Sequence, residues 1–316
     1  MSVAAPSATE RQREHSGNRG GQQAKQRLGG WARRAPLMPA LVFMIIVTQL
    51  PMVATLVISF MDWNAYYPDD RGFTGFDNYR RVLTNVNTVQ AILTTIILTV
   101  AVVLVSLVLG LVIALLLDRK FRGRGVVRTL MIAPFLIVPV AAALVWKHAL
   151  YNPDYGLFNG VLTWIFGDNA PQPDWISSFP LGAIIAALVW QWTPFMMLII
   201  LAGLQSKPLD VVEAARIDGA SPWQIFTNMT LPHLRRYLEL SVLLGAIYIV
   251  QNFDHVFTIT SGGLGTANLP YDIYQNFYVA HDYGRASAEG VVVVIGTILI
   301  AMFALRTVST LLKEES

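Results

Sequence analysis

Six long apolar runs constrain the fold of this 316-residue chain more than any other feature. A helix rises about 1.5 Å per residue, so about 20 residues are needed to cross a hydrocarbon core of roughly 30 Å. The runs lie at approximately residues 36–60, 91–117, 129–146, 181–204, 238–257 and 290–311. Hydrophobic residues make up 54% of the chain and charged residues only 14%. The sequence therefore predicts an all-α integral membrane protein with six transmembrane helices.

The Lys and Arg residues between these runs indicate how the chain crosses the membrane. If the chain starts in the cytoplasm, the cytoplasmic segments hold 18 of the 23 basic residues. Positively charged short loops are retained on that side. We therefore predict that both termini are cytoplasmic and that residues 36–312 form the transmembrane domain. Residues 1–35 are polar and basic, which predicts a disordered cytoplasmic tail.

Composition excludes several kinds of site. The chain has no cysteine, so it can form neither a disulfide nor a cysteine metal site. Its five histidines show neither the His-x3-His nor the HExxH spacing that places two imidazoles on one helix face. The net charge of +3 follows the membrane topology and does not require nucleic acid. We expect no metal site, no catalytic residues and no nucleic-acid partner.

The connection between the fourth and fifth runs, residues 206–236, has the pattern of two short helices. Pro208 suits a first helical turn, and Gly219 suits a C-terminal cap that needs a positive φ. Residues 221–224, Ser-Pro-Trp-Gln, then have the pattern of a capping box. The second helix is predicted to end at Leu231-Pro232, because proline interrupts helices. Its large apolar side chains suit either the bilayer surface or a partner protein.

The same connection carries a recognisable motif. Glu213-Ala214-Ala215, then Gly219, then Leu231-Pro232 resembles the EAA loop of ABC importer permeases. The family pattern is EAA, three residues, G, nine residues, I, one residue, LP, and it departs here only at Met229. Further segments resemble the carbohydrate-importer branch typified by the maltose and glycerol-phosphate permeases, namely residues 73–79, 122–159, 253–263 and 283–288. We call residues 206–236 the EAA segment.

The resemblance implies a type I ABC importer permease fold in the cytoplasmic (inner) membrane of a bacterium, with a carbohydrate as substrate. It implies that the EAA segment docks on a separate cytoplasmic ATPase. The coupling residues would be Glu213, Ala214, Ala215, Asp218, Gly219, Ser221, Trp223, Phe226, Leu231 and Pro232. A second homologous permease subunit, two ATPase subunits and an extracytoplasmic substrate-binding protein would be the partners.

ATP and Mg²⁺ would bind to the ATPase, and no cofactor would bind to this chain. A P-loop requires a Gly-Lys dipeptide, which this sequence lacks. The aromatic-rich residues 151–175 are a candidate docking surface for the binding protein, although Trp164 and Trp175 suit interfacial anchors equally well.

Two runs carry polar and aromatic residues where transport sites lie, near the membrane centre. Amide groups and flat aromatic faces suit hydroxyl-rich ligands. In the fifth run, Tyr248, Gln251, Asn252 and His255 have the spacing of a single helix face. The predicted pathway residues are Trp190, Gln191, Trp192, Tyr248, Gln251, Asn252 and Asp254. Interhelical hydrogen bonding or packing is the alternative for each of them.

Two other functions compete with an ABC permease. An ion-coupled secondary transporter needs acids or bases deep in its spans, and the predicted spans almost lack them. An intramembrane enzyme needs a nucleophile and a base at matching depth, and the chain has no cysteine and no GxSxG motif. Both are weaker interpretations than the permease.

Overall fold

The structure is a computed structural model that describes residues 35–167 and 169–311. The predicted basic tail, residues 1–35, lies outside the described residues except for Ala35. The chain divides into two units, Met1–Val57 and Ile58–Ser316. Helix α1 (Met38–Ile58) lies in the first unit except for its last residue. A short 3₁₀ helix at Ala35–Leu37 precedes it. None of the residues of α1 is buried, so its apolar side chains need lipid or another chain around them.

The second unit is built almost entirely of helices. A small antiparallel pair, β1 (Met61–Asp62) and β2 (Gly72–Phe73), precedes them. The helices before the EAA segment are α2 (Asp77–Thr84), α3 (Val86–Asp118), α4 (Arg124–Leu136), α5 (Pro139–Leu144, widening into a π-turn at Val145–Leu150), α6 (Leu157–Phe166), α7 (Trp175–Ser178) and α8 (Pro180–Gln205).

The EAA segment contributes α9 (Leu209–Ile217) and α10 (Pro222–Ile225, with a π-turn at Phe226–Thr230). The helices that follow are α11 (Leu231–Val250), α12 (Asp254–Thr260), α13 (Leu269–Tyr274, with a π-turn at Gln275–Val279) and α14 (Tyr283–Leu311).

Four helices of the described chain, α1, α3, α8 and α14, are long and apolar enough to cross a membrane. Two further spans are possible if each bent pair counts as one: α4 with α5, bent by 96°, and the helix from Pro222 through Val250 with α12, bent by 50°. The predicted membrane class is therefore confirmed by length and composition, and the number of spans lies between four and six.

Helices α3 and α8 form the centre of the second unit and pack against each other. Met196, Met197 and Ile200 of α8 are fully buried. Gly110 permits the close approach of α3, because a Cβ atom there would lie 3.0 Å from the Met197 backbone nitrogen. Helix α11 packs against both α3 and α8, and Gly203 lies against the ring of Tyr237 at that contact. Small residues at such crossings allow the backbones to approach closely.

The third predicted run, 129–146, is two helices rather than one. Helix α4 ends at Leu136, and Pro139 starts α5, because proline fixes the turn and cannot donate a hydrogen bond into a continuing helix. The Ile137 carbonyl lies at the break between the two helices. Gln191 Nε2 donates a hydrogen bond to it at 2.9 Å. The bend is thus supported from α8.

A buried polar network joins the beginnings of α3 and α14. The Glu289 side chain is fully buried and accepts hydrogen bonds from Asn276 Nδ2 at 2.8 and 2.9 Å and from Arg285 Nε at 3.2 Å. Arg285 also donates to Thr88 Oγ1, which donates to Asp272 Oδ2 at 2.8 Å. A buried carboxylate needs this kind of partner set to offset its desolvation.

Candidate functional site

The EAA segment forms a helical hairpin whose turn is closed by a Schellman motif. Gly219 has φ +85°, as predicted for a C-terminal cap. Its amide donates to the Arg216 carbonyl at 3.2 Å, and the Ala220 amide donates to the Ala215 carbonyl at 2.9 Å. These bonds satisfy carbonyls that the end of α9 would otherwise leave free. Glu213 and Ala214 lie exposed on α9, just before this turn.

The second helix of the hairpin starts with the predicted capping box. The Ser221 backbone amide donates to Gln224 Oε1 at 2.8 Å, and the Gln224 amide donates to Ser221 Oγ at 3.3 Å. The large apolar side chains have different positions: Ile225 is buried, whereas 71% of Trp223 is exposed. Phe226 is half-buried and its ring lies 5.7 Å from that of Trp223.

The prediction that Leu231-Pro232 ends this helix is wrong. Helix α11 begins at Leu231 with helical backbone angles on both sides, so α10 runs through the π-turn Phe226–Thr230 into α11. A proline inside an α-helix removes a backbone hydrogen bond and crowds the carbonyl four residues earlier. The wider π-turn immediately before Pro232 relieves that crowding. The hairpin is therefore continuous with a long membrane helix.

Side chains outside the motif anchor the hairpin to α8 and α11. Ser206 Oγ lies 3.1 Å from His233 Nε2 and 2.9 Å from the Tyr237 hydroxyl. Lys207 Nζ donates to Thr230 Oγ1 at 3.1 Å. Sequence reasoning missed these contacts, because the partners lie more than 20 residues apart and belong to no motif. A force on the hairpin therefore reaches two long helices.

Four aromatic side chains from three helices form a second feature, which we call the aromatic platform: Phe135, Trp192, Phe195 and Tyr248. The Trp192 and Tyr248 rings are stacked, with centroids 5.3 Å apart. Phe135 lies 5.7 Å from Trp192 and 5.2 Å from Phe195. About half of Tyr248 is exposed. The platform thus brings together two predicted pathway residues, Trp192 and Tyr248. Sequence reasoning missed Phe135 and Phe195, because isolated aromatic residues in a span resemble core packing.

The other predicted pathway residues in α8 point elsewhere. Gln191 is 3% exposed and holds the bend between α4 and α5 through the bond described above. Trp190 packs on Trp146 at 5.9 Å between ring centroids. These two contacts correspond to the packing alternative considered for each pathway residue.

The single helix face expected for Tyr248, Gln251, Asn252 and His255 does not exist. Helix α11 ends at Val250, and α12 starts at Asp254 after a break. In a continuous helix the Asn252 carbonyl would accept a hydrogen bond from a backbone amide. Here Asn268 Nδ2 donates to it instead, at 2.5 Å. Gln251 is exposed, whereas Asn252 and Asp254 are half-buried. Broken helices of this kind are tolerated where polar side chains satisfy the backbone.

The candidate docking surface at 151–175 has a few packed side chains, such as Tyr151 and Asn159, but most of its described residues are exposed. The Tyr151 hydroxyl donates to the Ala183 carbonyl at 3.0 Å, and burial raises the pKa of this tyrosine. Trp175 Nε1 donates to Asn159 Oδ1 at 2.8 Å. Asp174 caps α7, and its hydrogen bonds from the Ser177 side chain and backbone lower the pKa of its carboxyl. Trp164 remains 86% exposed.

Comparison with known proteins identifies relatives along most of the chain. The family model described as "binding-protein-dependent transport system inner membrane component" matches residues 106–312. The chain is 37% identical over 268 residues to the probable ABC transporter permease protein y4oQ of Sinorhizobium fredii, covering 84% of this chain and 85% of that one. It is 34% identical over 270 residues to the trehalose transport system permease protein SugA of Mycobacterium tuberculosis, covering 84% and 86%.

A third relative and a solved structure agree with these. The trehalose/maltose transport system permease protein MalF of Thermococcus litoralis is 35% identical over 256 residues, covering 80% of this chain and 85% of that one. A chain from a bacterial ABC transporter involved in the import of the acidic polysaccharide alginate has a TM-score of 0.77 at 21% identity, covering 92% and 99%. This likeness shows the type I ABC importer permease fold. By family match and by relatives along most of its length, the chain belongs to the inner-membrane components of binding-protein-dependent transport systems, the ABC transporter permeases.

Proposed function

We propose that this chain is a permease subunit of an ATP-driven importer that carries a carbohydrate across a bacterial cytoplasmic membrane. The observation that carries the proposal is the exposed EAA hairpin, which is rigidly capped and continuous with α11. Glu213 and the apolar side chains of Ile217 and Trp223 beside the turn are exposed to a partner, and the base of the hairpin is bonded to α8 and α11. ATP and Mg²⁺ would bind to a separate ATPase that receives this hairpin.

The proposed topology has six spans and cytoplasmic termini. It counts each bent helix pair as one crossing, which gives six. With this topology, the EAA segment and the basic residues at 119–128 lie on the cytoplasmic side, as the distribution of positive charge favours. The complete transporter would contain a second homologous permease subunit, two ATPase subunits and an extracytoplasmic binding protein.

A carbohydrate is the proposed substrate for two reasons. The names of two relatives, from Mycobacterium tuberculosis and Thermococcus litoralis, refer to trehalose or to trehalose and maltose. The aromatic platform offers a half-exposed Tyr248 stacked on Trp192, and flat aromatic surfaces pack against the C–H faces of sugars. Gln251, exposed at the adjacent helix break, supplies an amide that both donates and accepts hydrogen bonds.

An ion-coupled secondary transporter is the alternative. The fully buried acid of the network, Glu289, has Arg285 and Asn276 as partners. These hydrogen bonds account for the buried carboxylate without an ion-coupling role. The family match and the relatives favour the ABC permease.

Reconstitution tests the proposal. The chain is co-purified with its ATPase, second permease subunit and binding protein, and uptake of labelled trehalose or maltose into proteoliposomes is measured. We expect uptake only when all components are present and ATP is supplied on the membrane face that carries the ATPase. Accumulation by this chain alone on a proton or sodium gradient would contradict the proposal.

We expect Trp192→Ala to reduce uptake about fivefold to tenfold, because one aromatic contact contributes on the order of 1 kcal/mol. ATPase association should remain unchanged, since Trp192 lies away from the EAA segment. Tyr67→Ala is the matched control, because this aromatic side chain is 65% exposed and lies outside the aromatic platform, residues 151–175 and the EAA segment. Equal uptake by both variants would remove the platform from the pathway.

A further inference from the structure

A cavity of about 650 Å³ opens where α3 ends, α4 begins and α8 leads into α9. We call it the basic cavity, because five Lys and Arg side chains line it: Lys120, Arg124, Arg128, Lys207 and Arg216. Asp118 and Glu213 are the acids in the same lining. The groups facing this space therefore carry a formal charge of +3.

None of these five basic side chains forms an ion pair among residues 35–167 and 169–311, and the two acids of the lining offset only part of their charge. The ion pairs of that part of the chain involve other residues. Lys207 has a neutral partner, the Thr230 hydroxyl. Arg124, Arg128 and Lys207 are half-buried, so solvent screens them less than fully exposed side chains. Like charges held together in this way favour a bound anion.

A second cavity, of about 690 Å³, lies between the apolar parts of the same three helices. We call it the apolar cavity. Its lining includes Val105, Leu109 and Ile113 of α3, Leu130 and Met131 of α4, and Ala186 of α8. Thr193 also faces it, but its hydroxyl donates to the Val189 carbonyl at 2.6 Å. An open apolar surface of this size needs an apolar occupant.

Helical spacing places the two cavities along one groove. Arg124, Arg128 and Met131 lie at i, i+4 and i+7 of α4, which is one helix face running from the basic to the apolar cavity. On α3, Val105 to Ile113 spans about 12 Å at 1.5 Å per residue. Half of a 30 Å hydrocarbon core is about 15 Å. On α8 the lining runs from Gly182 to Met197, about 22 Å, so the apolar part of the groove is long enough for an acyl chain that spans one leaflet.

We propose that this groove binds an anionic phospholipid, with the phosphate in the basic cavity and an acyl chain in the apolar cavity. A neutral lipid would leave the basic charges uncompensated, and free phosphate would leave the apolar cavity open. Because Glu213 and Arg216 of α9 line the basic cavity, the bound headgroup contacts the EAA segment directly. The inference does not depend on which solute is transported.

Native mass spectrometry of the assembled transporter tests this binding. Delipidated complex is titrated with phosphatidylglycerol or phosphatidylcholine. We expect preferential retention of phosphatidylglycerol, and the double variant Arg124→Gln/Arg128→Gln should weaken it by about fivefold for each removed charge. Arg122→Gln is the control, because Arg122 is exposed in the same loop and outside the lining. Equal retention of the two lipids, or an unchanged double variant, would overturn the proposal.

A variant in the other half of the groove separates a lipid from a free anion. Leu109→Trp narrows the apolar cavity about 14 Å along α3 from Asp118, within the depth of one leaflet from the basic cavity. It should weaken binding of long-chain phosphatidylglycerol but leave the dihexanoyl form unaffected. Inorganic phosphate should compete poorly with the long-chain lipid. Phosphate that competes as well as short-chain lipid, or a Leu109→Trp variant with normal long-chain binding, would contradict the lipid assignment. Cross-linking of Leu109→Cys to the second permease subunit instead of a photoreactive lipid would also contradict it.

Discussion

Replacing Gly219 with valine is expected to abolish most ATP-driven uptake while membrane insertion stays intact. Gly219 has φ +85°, and a non-glycine residue in the left-handed region costs about 1–2 kcal/mol, more when it is β-branched. At about 1.4 kcal/mol per factor of ten, the hairpin would keep its docking shape about tenfold less often. Uptake in the reconstituted transporter and co-purification of the ATPase measure the effect.

Gly219→Asn is the matched control for this prediction. Asparagine adopts positive φ far more readily than valine, so the Schellman turn should persist. A Cβ atom at this position meets no other atom within 4 Å, so neither substitution clashes at Cβ and the two differ chiefly in their tolerance of the positive φ. If valine and asparagine gave the same uptake, the turn would not be needed for coupling.

The second large effect is expected for Gly284→Ala, which should prevent most of the chain from folding. A Cβ atom there would collide with the Met61 carbonyl oxygen and would lie 2.9 Å from Asn78 Nδ2. That oxygen already accepts a hydrogen bond from Asn78 at 2.8 Å. Because backbone cannot give way as a side chain can, we expect a cost of about 3 kcal/mol or more. Monodisperse yield in detergent and the thermal midpoint measure it.

Gly296→Ala provides the control within the same helix. Nothing lies within 4 Å of its added Cβ atom, and alanine favours helix over glycine by roughly 0.5–1 kcal/mol. The two glycine-to-alanine changes in α14 should therefore have opposite signs. A Gly284→Ala protein as stable as the Gly296→Ala protein would mean that β1 and α14 do not pack as described.

The local signals in the EAA segment could be predicted because they depend on neighbouring residues. The positive φ of Gly219 and the Ser221–Gln224 capping box both follow from backbone chemistry within a few residues. The end at Pro232 was predicted wrongly, because the preceding π-turn accommodates the ring and proline alone does not reveal this. Both arms of the hairpin were therefore anticipated, but its direct continuation into α11 was not.

The candidate pathway was only partly predictable, because it depends on tertiary contacts. The break after Val250 ends the helical spacing on which the predicted face depended, and its support comes from Asn268. Likewise, the bend between α4 and α5 takes Gln191 as its partner. The residue pattern within one span does not indicate which side chain of another element bonds to its backbone.

The Arg285–Glu289 pair shows a signal that could have been found. An Arg and a Glu four residues apart near the start of an apolar run indicate an ion pair on one helix face. The sixth run was predicted from residue 290, whereas α14 starts at Tyr283, so Glu289 fell just outside the predicted span. Extending the helix by two turns would have placed this acid within it.

The claim that the EAA hairpin contacts a separate ATPase is tested most directly by site-specific cross-linking. The chain has no cysteine, so a single introduced cysteine can carry a photoreactive probe. Ile217→Cys places the probe on the hairpin, and Trp164→Cys places it outside; both native side chains are 86% exposed. We expect a cross-link to the ATPase from position 217 and none from position 164. The account is contradicted if position 217 gives no ATPase cross-link in an assembled, transport-active complex, or if position 164 gives the same one.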